Sequence, residues 1–78
     1  MARIEVLNTW FFPIPTLRKD GKIMHAPKEA VEKYQELKEG WFRDFPEYPH
    51  EKPLVILSPG KEPGKEGYFV KTGIIYSS

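Results

Sequence analysis

The hydrophobic positions of this chain follow two different periods, and the helical period is the clearer one. Four apolar residues recur at steps of four, three and four, which places them on one stripe of a helix: Ala30, Tyr34, Leu37 and Trp41. Pro27 suits the first helical turn, where a missing N–H leaves no bond unmade, and Pro46 ends any helix by the residue before it. The pattern predicts an amphipathic helix over residues 26–45, with Trp41, Phe42 and Phe45 assigned mainly to the core.

Before this helix, polar and apolar residues alternate from Arg3 to Val6, as in a half-buried strand. Trp10 and Phe12 continue the even-numbered face, so the pattern predicts a strand over residues 3–12 with these two rings turned inward. Alternation then places Phe11 on the outer face together with Leu7 and Thr9. In the next segment, Asp20-Gly21 suits a two-residue turn and predicts a short hairpin over residues 16–24.

After the helix, the continuous apolar run 54–57 predicts a central strand that is buried on both faces. Residues 68–76 form the last predicted strand, in which Gly73 indicates a bulge or a close backbone approach. Between them, a proline- and glycine-rich repeat over residues 59–67 predicts an exposed, mobile hairpin tip. The expected fold is a single α+β domain over residues 1–78, a four-stranded antiparallel sheet in β-β-α-β-β order with one helix on one face.

Composition limits the classes of function. With 78 residues the core is thin, so two Trp, four Tyr and five Phe are a large apolar supply for a core or an interface. The net charge of +1 gives no long-range attraction to nucleic acid or anionic lipid. The absence of cysteine excludes disulfides and suits a reducing cytoplasm. No apolar run reaches the length of a signal peptide or a membrane span, so we expect a cytoplasmic protein without membrane contact.

No arrangement of polar residues in the sequence matches a catalytic, metal-binding or cofactor-binding motif. The segment from Gly60 to Glu66 has the wrong spacing for a phosphate-binding loop, and His25 and His50 lack a second ligand at a metal-binding spacing. Asp20 is explained by its turn and Asp44 by solvation beside Arg43. The three serines also lie outside nucleophile motifs: Ser58, Ser77 and Ser78. We therefore expect a protein that is not an enzyme and that uses no metal or cofactor.

The surplus of aromatic residues in the first strand is the strongest functional feature, because one helix covers only one face of a sheet. The sequence predicts a non-enzymatic module that binds another protein through Trp10 and Phe11, with Arg18, Lys19 and Lys22 as a charged rim. It would serve as an accessory subunit or an inhibitor of a larger protein. The alternative is single-stranded nucleic-acid binding, with the two rings stacking on bases and the hairpin tip touching phosphates. A homodimer that covers the patch is a third possibility.

Overall fold

The computed structural model describes residues 2–77; Met1 and Ser78 lie outside the described residues. It has one helix and five strands: β1 (Arg3–Ile14), β2 (Arg18–Lys19), β3 (Lys22–Ile23), α1 (Lys28–Asp44), β4 (Glu51–Glu62) and β5 (Lys65–Tyr76). The helix packs on one side of an antiparallel sheet, mainly against β4 and β5. The predicted α+β class with one helix on one face is confirmed.

The main sheet has three strands in the order β1-β5-β4, while β2 and β3 form a separate two-stranded sheet. The expected four-stranded sheet is therefore wrong, because the chain leaves the main sheet at Pro15, directly after the last residue of β1. The expected central strand is also misplaced. The run Leu54, Val55, Ile56 and Leu57 lies in β4, which is an edge strand with half-buried side chains, and β5 occupies the centre.

The connection between β4 and β5 is much shorter than the sequence suggests. The strands pair continuously from Glu51 with Tyr76 to Glu62 with Lys65, which leaves only a two-residue turn. Gly64 at that turn has a φ of 78°. Most of the predicted mobile tip over 59–67 is therefore strand. The Asp20-Gly21 hairpin is confirmed, with positive φ at both turn residues.

A bulge in β1 changes which residues face the helix. Val6 pairs with Gly73 and Asn8 with Thr72, so Leu7 is an extra residue in β1. A Cβ at Gly73 would overlap the carbonyl oxygen of Glu5, which confirms the close approach expected there. Because the side-chain period is two, the bulge exchanges the two faces of the strand. The even-numbered face therefore does not continue through β1.

The helix begins after Pro27, passes through Gly40 and ends before Phe45. Its predicted apolar stripe is confirmed: Ala30 is fully buried, and Tyr34 and Leu37 pack against the buried core. Phe42 was expected mainly in the core, but it is 46% exposed. Consecutive helix residues are about 100° apart, so the residue after Trp41 turns away from the sheet.

The core lies between α1 and one face of the sheet, and its fully or nearly buried apolar residues are Leu17, Ala30, Tyr68 and Val70. Leu17 also anchors the β2–β3 hairpin. Its N–H donates to Oε2 of Glu66 at 2.7 Å, and the Tyr68 hydroxyl donates to the carbonyl oxygen of Met24. The hairpin is thus fixed to side chains on the helix-bearing face of β5.

Candidate protein-docking surface

The sheet face opposite α1 is covered by no helix or strand among residues 2–77, and we call it the open face. Pairing and alternation place on it the following side chains of β1, β5 and β4: Ile4, Val6, Thr9, Phe11, Pro13, Phe69, Lys71, Ile75, Lys52, Leu54, Ile56 and Ser58. Most of them are apolar. Ile4 and Val6 are 57% and 46% exposed, since β1 is an edge strand and only β5 shields them.

Two aromatic rings, those of Phe11 and Phe69, lie side by side on the half of the open face that is nearer the β4–β5 turn. Phe11 and Phe69 are directly paired across β1 and β5, with ring centroids 4.8 Å apart and ring planes inclined by 50°. Such a tilted pair is a favourable aromatic geometry. The two rings are half-buried by the sheet itself.

The rings rest on two glycines that are themselves cross-strand partners. A Cβ at Gly60 would come within 2.6 Å of the Phe69 ring, and a Cβ at Gly67 within 2.8 Å of Cζ of Phe11. The rings therefore lie on bare backbone, in the arrangement by which aromatic side chains shield glycines in sheets. Any side chain at these two positions would displace a ring, so the glycines hold the pair in place.

The charge of the open face is mainly positive. Lys71 lies beside Phe69, with Nζ 5.2 Å from the ring centroid, in a cation–π contact. Lys52 lies toward one end of the face. The carboxylates of Glu5, Glu51 and Glu66 lie on the opposite, helix-bearing face by the same alternation. Away from the β4–β5 turn, the open face is thus an apolar surface with two cations and no anion among the described residues.

The structure separates the residues that the sequence grouped into one patch. Phe11 lies on the open face as predicted. Trp10 lies on the helix-bearing face, half-buried, with Nζ of Lys33 4.8 Å from its ring centroid. The basic side chains are exposed on the β2–β3 hairpin, which Glu66 and Tyr68 hold on the helix-bearing side: Arg18, Lys19 and Lys22. Phe11 is therefore joined by neither Trp10 nor the predicted charged rim.

Sequence reasoning missed the residues that do surround Phe11. The sequence pattern placed Phe69 in a strand but assigned its side chain to neither face, and Gly60 and Gly67 were interpreted as turn residues. Strand register is needed to bring these three positions to Phe11, because they lie about fifty residues away along the chain. The available signal was weak: glycines flanking an apolar strand segment indicate a close approach of another group.

A groove on the helix-bearing side runs between α1 and β1, with Trp10, Leu37, Gly40 and Trp41 among the residues that line it. Its polar groups are mostly engaged within the chain. The indole N–H of Trp41 donates to the carbonyl oxygen of Gly73 at 3.0 Å.

Some of the charged side chains that the sequence analysis considered form isolated ion pairs. Nζ of Lys61 lies 3.9 Å from Oε1 of Glu66 across the β4–β5 hairpin. Asp44 pairs with Arg43 at 3.2 Å on the surface. Residues 2–77 contain no cluster of three His, Asp or Glu side chains with metal-binding geometry.

Among the described residues, one ionisable group has a clearly shifted pKa. The Tyr76 hydroxyl donates to Oε2 of Glu5 at 2.9 Å. This hydrogen bond, followed by partial desolvation and the negative charges of Glu5 and Glu51, raises the pKa of Tyr76. The contact ties the start of β1 to the end of β5 on the helix-bearing face.

No known protein family, curated protein or solved structure matches this chain. Within residues 2–77, α1 is neither long enough nor apolar enough to cross a membrane.

Proposed function

We propose that this chain is a non-enzymatic protein-binding module that docks on a larger protein through the open face, as an accessory subunit or an inhibitor. The observation that carries the proposal is the Phe11–Phe69 pair, held on Gly60 and Gly67 on a face that no helix or strand within residues 2–77 covers. A contiguous apolar surface of this kind is typical of interaction sites.

The chemistry of the face favours a folded protein surface as the ligand. Aromatic side chains held in place lose little conformational entropy on docking, and they are frequent energetic centres of interfaces. Beyond them, Ile4 and Val6 on β1, Ile75 on β5 and Ile56 on β4 supply apolar area on all three strands. Lys71 suits a carboxylate on the partner, since no carboxylate of the described residues lies on the open face away from the β4–β5 turn.

Single-stranded nucleic acid is the second candidate. Aromatic residues on adjacent strands of an open sheet face, next to a lysine, are the arrangement with which some RNA-binding domains stack bases. Nucleic-acid binding on the open face would thus use Phe11, Phe69 and Lys71. Trp10 and the predicted hairpin contacts Arg18, Lys19 and Lys22 lie on the other side of the sheet, and the chain carries only one net positive charge.

Capture from a lysate of the source cells, followed by reconstitution with the purified captured protein, tests the proposal. Phe69→Ser is the test variant, and Phe42→Ser is its matched control because Phe42 is exposed on α1. We expect Phe69→Ser to weaken the reconstituted complex by about tenfold or more, since aromatic anchors contribute at least ~1–2 kcal/mol, while Phe42→Ser leaves it unchanged. Equal binding by both variants would refute docking through the open face.

Fluorescence anisotropy with single-stranded oligonucleotides distinguishes nucleic-acid binding from docking on a protein. Binding that falls steeply with added salt and is lost in Lys71→Gln would favour nucleic acid.

The absence of catalysis, of a cofactor and of export from the cytoplasm remains predicted from the sequence.

A further inference from the structure

The two edges of the main sheet are built differently. The β4 edge contains Pro53 and Pro59, which lack the N–H that an added strand would use. On the β1 edge, the only proline is Pro13, next to the last residue of the strand. Among residues 2–77, no strand pairs with the outer side of β1 over its remaining length. One edge is thus protected against strand addition and the other is open to it.

Hydrogen-bond alternation identifies the backbone groups on the open edge. The N–H of Ser77 donates to the carbonyl oxygen of His50 at 2.8 Å, so odd-numbered residues of β5 bond toward β4. Even-numbered residues of β5 then bond toward β1. In β1 this leaves the backbone groups of four residues directed outward, two on each side of the bulge: Ile4, Val6, Thr9 and Phe11.

We propose that a second copy of this chain pairs with β1 in antiparallel orientation, about a two-fold axis between Leu7 and Asn8. Ile4 then lies opposite Phe11 of the second copy, and Val6 opposite Thr9, so outward backbone groups meet outward groups throughout. Leu7, the extra residue, then lies next to the two-fold axis in both copies. Outward backbone groups therefore stay opposite one another before and after the bulge. The two main sheets become one sheet of six strands.

Side chains fit this register on both faces. On the open face, the exposed Ile4 packs against Phe11 of the second copy, and Val6 against Thr9. On the helix-bearing face, Glu5 lies opposite Trp10 of the second copy, whose ring carries the Lys33 ammonium at 4.8 Å. An anion of one copy is thus brought toward a cation of the other, twice per dimer.

Other registers that match outward backbone groups are poorer. Pairing Ile4 with Val6 of the second copy centres the dimer on Glu5 and sets two carboxylates directly opposite, which is destabilising. Pairing Thr9 with Phe11 centres it on Trp10 and leaves the exposed Ile4 and Val6 without cover. The proposed register alone covers both halves of the strand.

This inference goes beyond the proposed function, because it uses the edge of β1 and leaves the open face free. The open faces of the two copies lie on the same side of the joined sheet, since side chains paired across the axis come from the same face. The dimer would therefore present a docking surface of about twice the area.

Sedimentation velocity on the whole chain, from micromolar to millimolar concentration, measures the association. We expect a dimer that dissociates on dilution. Thr9→Pro removes an outward N–H in each copy, and we expect it to raise the dissociation constant by roughly 10- to 100-fold, the effect of two lost hydrogen bonds. Thr9→Ser keeps the N–H and is the control. A monomer at every concentration would overturn the proposal.

Disulfide trapping tests the register, and it is free of background because the chain has no cysteine. Directly opposite residues are about 5.5 Å apart between Cα atoms, within reach of a disulfide. We expect the double variant Val6→Cys with Thr9→Cys to form a covalent dimer under mild oxidation. Val6→Cys with Phe11→Cys has no opposed pair in this register and is the matched control.

Equal trapping of both double variants, or trapping of neither, would overturn the proposed register. The outcome is distinguishable from that of the docking test. Loss of the dimer in Thr9→Pro with partner binding retained would support the edge contact independently of the open face.

Discussion

Neighbouring residues of the central strand β5 lie on opposite faces of the sheet, and the two faces differ in how they are covered. Val70 faces α1 and is fully buried, while its neighbour Phe69 lies on the open face, where it contacts Phe11, Lys71 and the backbone of Gly60. The helix-bearing face holds the fold together with most of its buried apolar area. On the open face, the rings of Phe11 and Phe69 are held in position on glycines although they lie outside the buried core.

The largest difference between the faces should appear on adding a carboxylate to each. Val70→Asp buries a charge without a partner and should cost about 4 kcal/mol or more, which exceeds or matches the ~3–5 kcal/mol that so small a core supplies. We expect this variant to be unfolded by circular dichroism at 25 °C. Val6→Asp, on the open face, should keep the fold. Folding of both variants would show that the helix-bearing face is not the core of the molecule.

A smaller difference is expected between the two glycines under the aromatic pair. The atoms nearest to a Cβ at Gly67 belong to the backbone of β1 and the Phe11 ring, whereas the three atoms nearest to a Cβ at Gly60 all belong to the Phe69 ring. Gly67→Ala should therefore destabilise the fold by about 1–3 kcal/mol in urea unfolding, and Gly60→Ala by less, because a ring moves more easily than backbone. A larger cost for Gly60→Ala would contradict this packing.

The weakest expected effect concerns pH on the helix-bearing face. Because the pKa of Tyr76 is raised above its ordinary 10.0 in the folded state, its hydrogen bond to Glu5 stabilises fully below pH 10 and is lost as the pH rises through the folded-state pKa. Stability of the native chain should therefore fall more steeply above pH 10 than that of Tyr76→Phe. Denaturant unfolding from pH 8 to 11.5 measures the difference, with Tyr48→Phe as the control.

The sequence was sufficient for features that depend on local pattern. The stripe from Ala30 to Trp41 predicted the helix and its buried side, and Asp20-Gly21 predicted a turn whose two residues both need positive φ. Phe11 was placed outward correctly, because alternation holds within the half of β1 that follows the bulge.

Features set by strand register could not be predicted in this way. The bulge at Leu7 reverses the faces of β1, so Ile4 and Val6 join the open face rather than the core. The order of the strands and the pairing of Gly60 with Gly67 arise from contacts between distant segments. The predicted patch failed as a group because neighbouring residues of a strand lie on opposite faces, which separates Trp10 from Phe11. The β2–β3 hairpin is held on the side of α1 by Glu66 and Tyr68.

Photo-crosslinking in the source cells tests the central claim most directly, because it reports which face meets another protein. A benzophenone amino acid at Ile56 probes the open face away from the β1 edge, and the same residue at Gln35 probes the exposed side of α1. We predict that position 56 crosslinks a discrete protein other than this chain and that position 35 does not. Crosslinking from position 35 alone, or from neither position, would contradict docking through the open face.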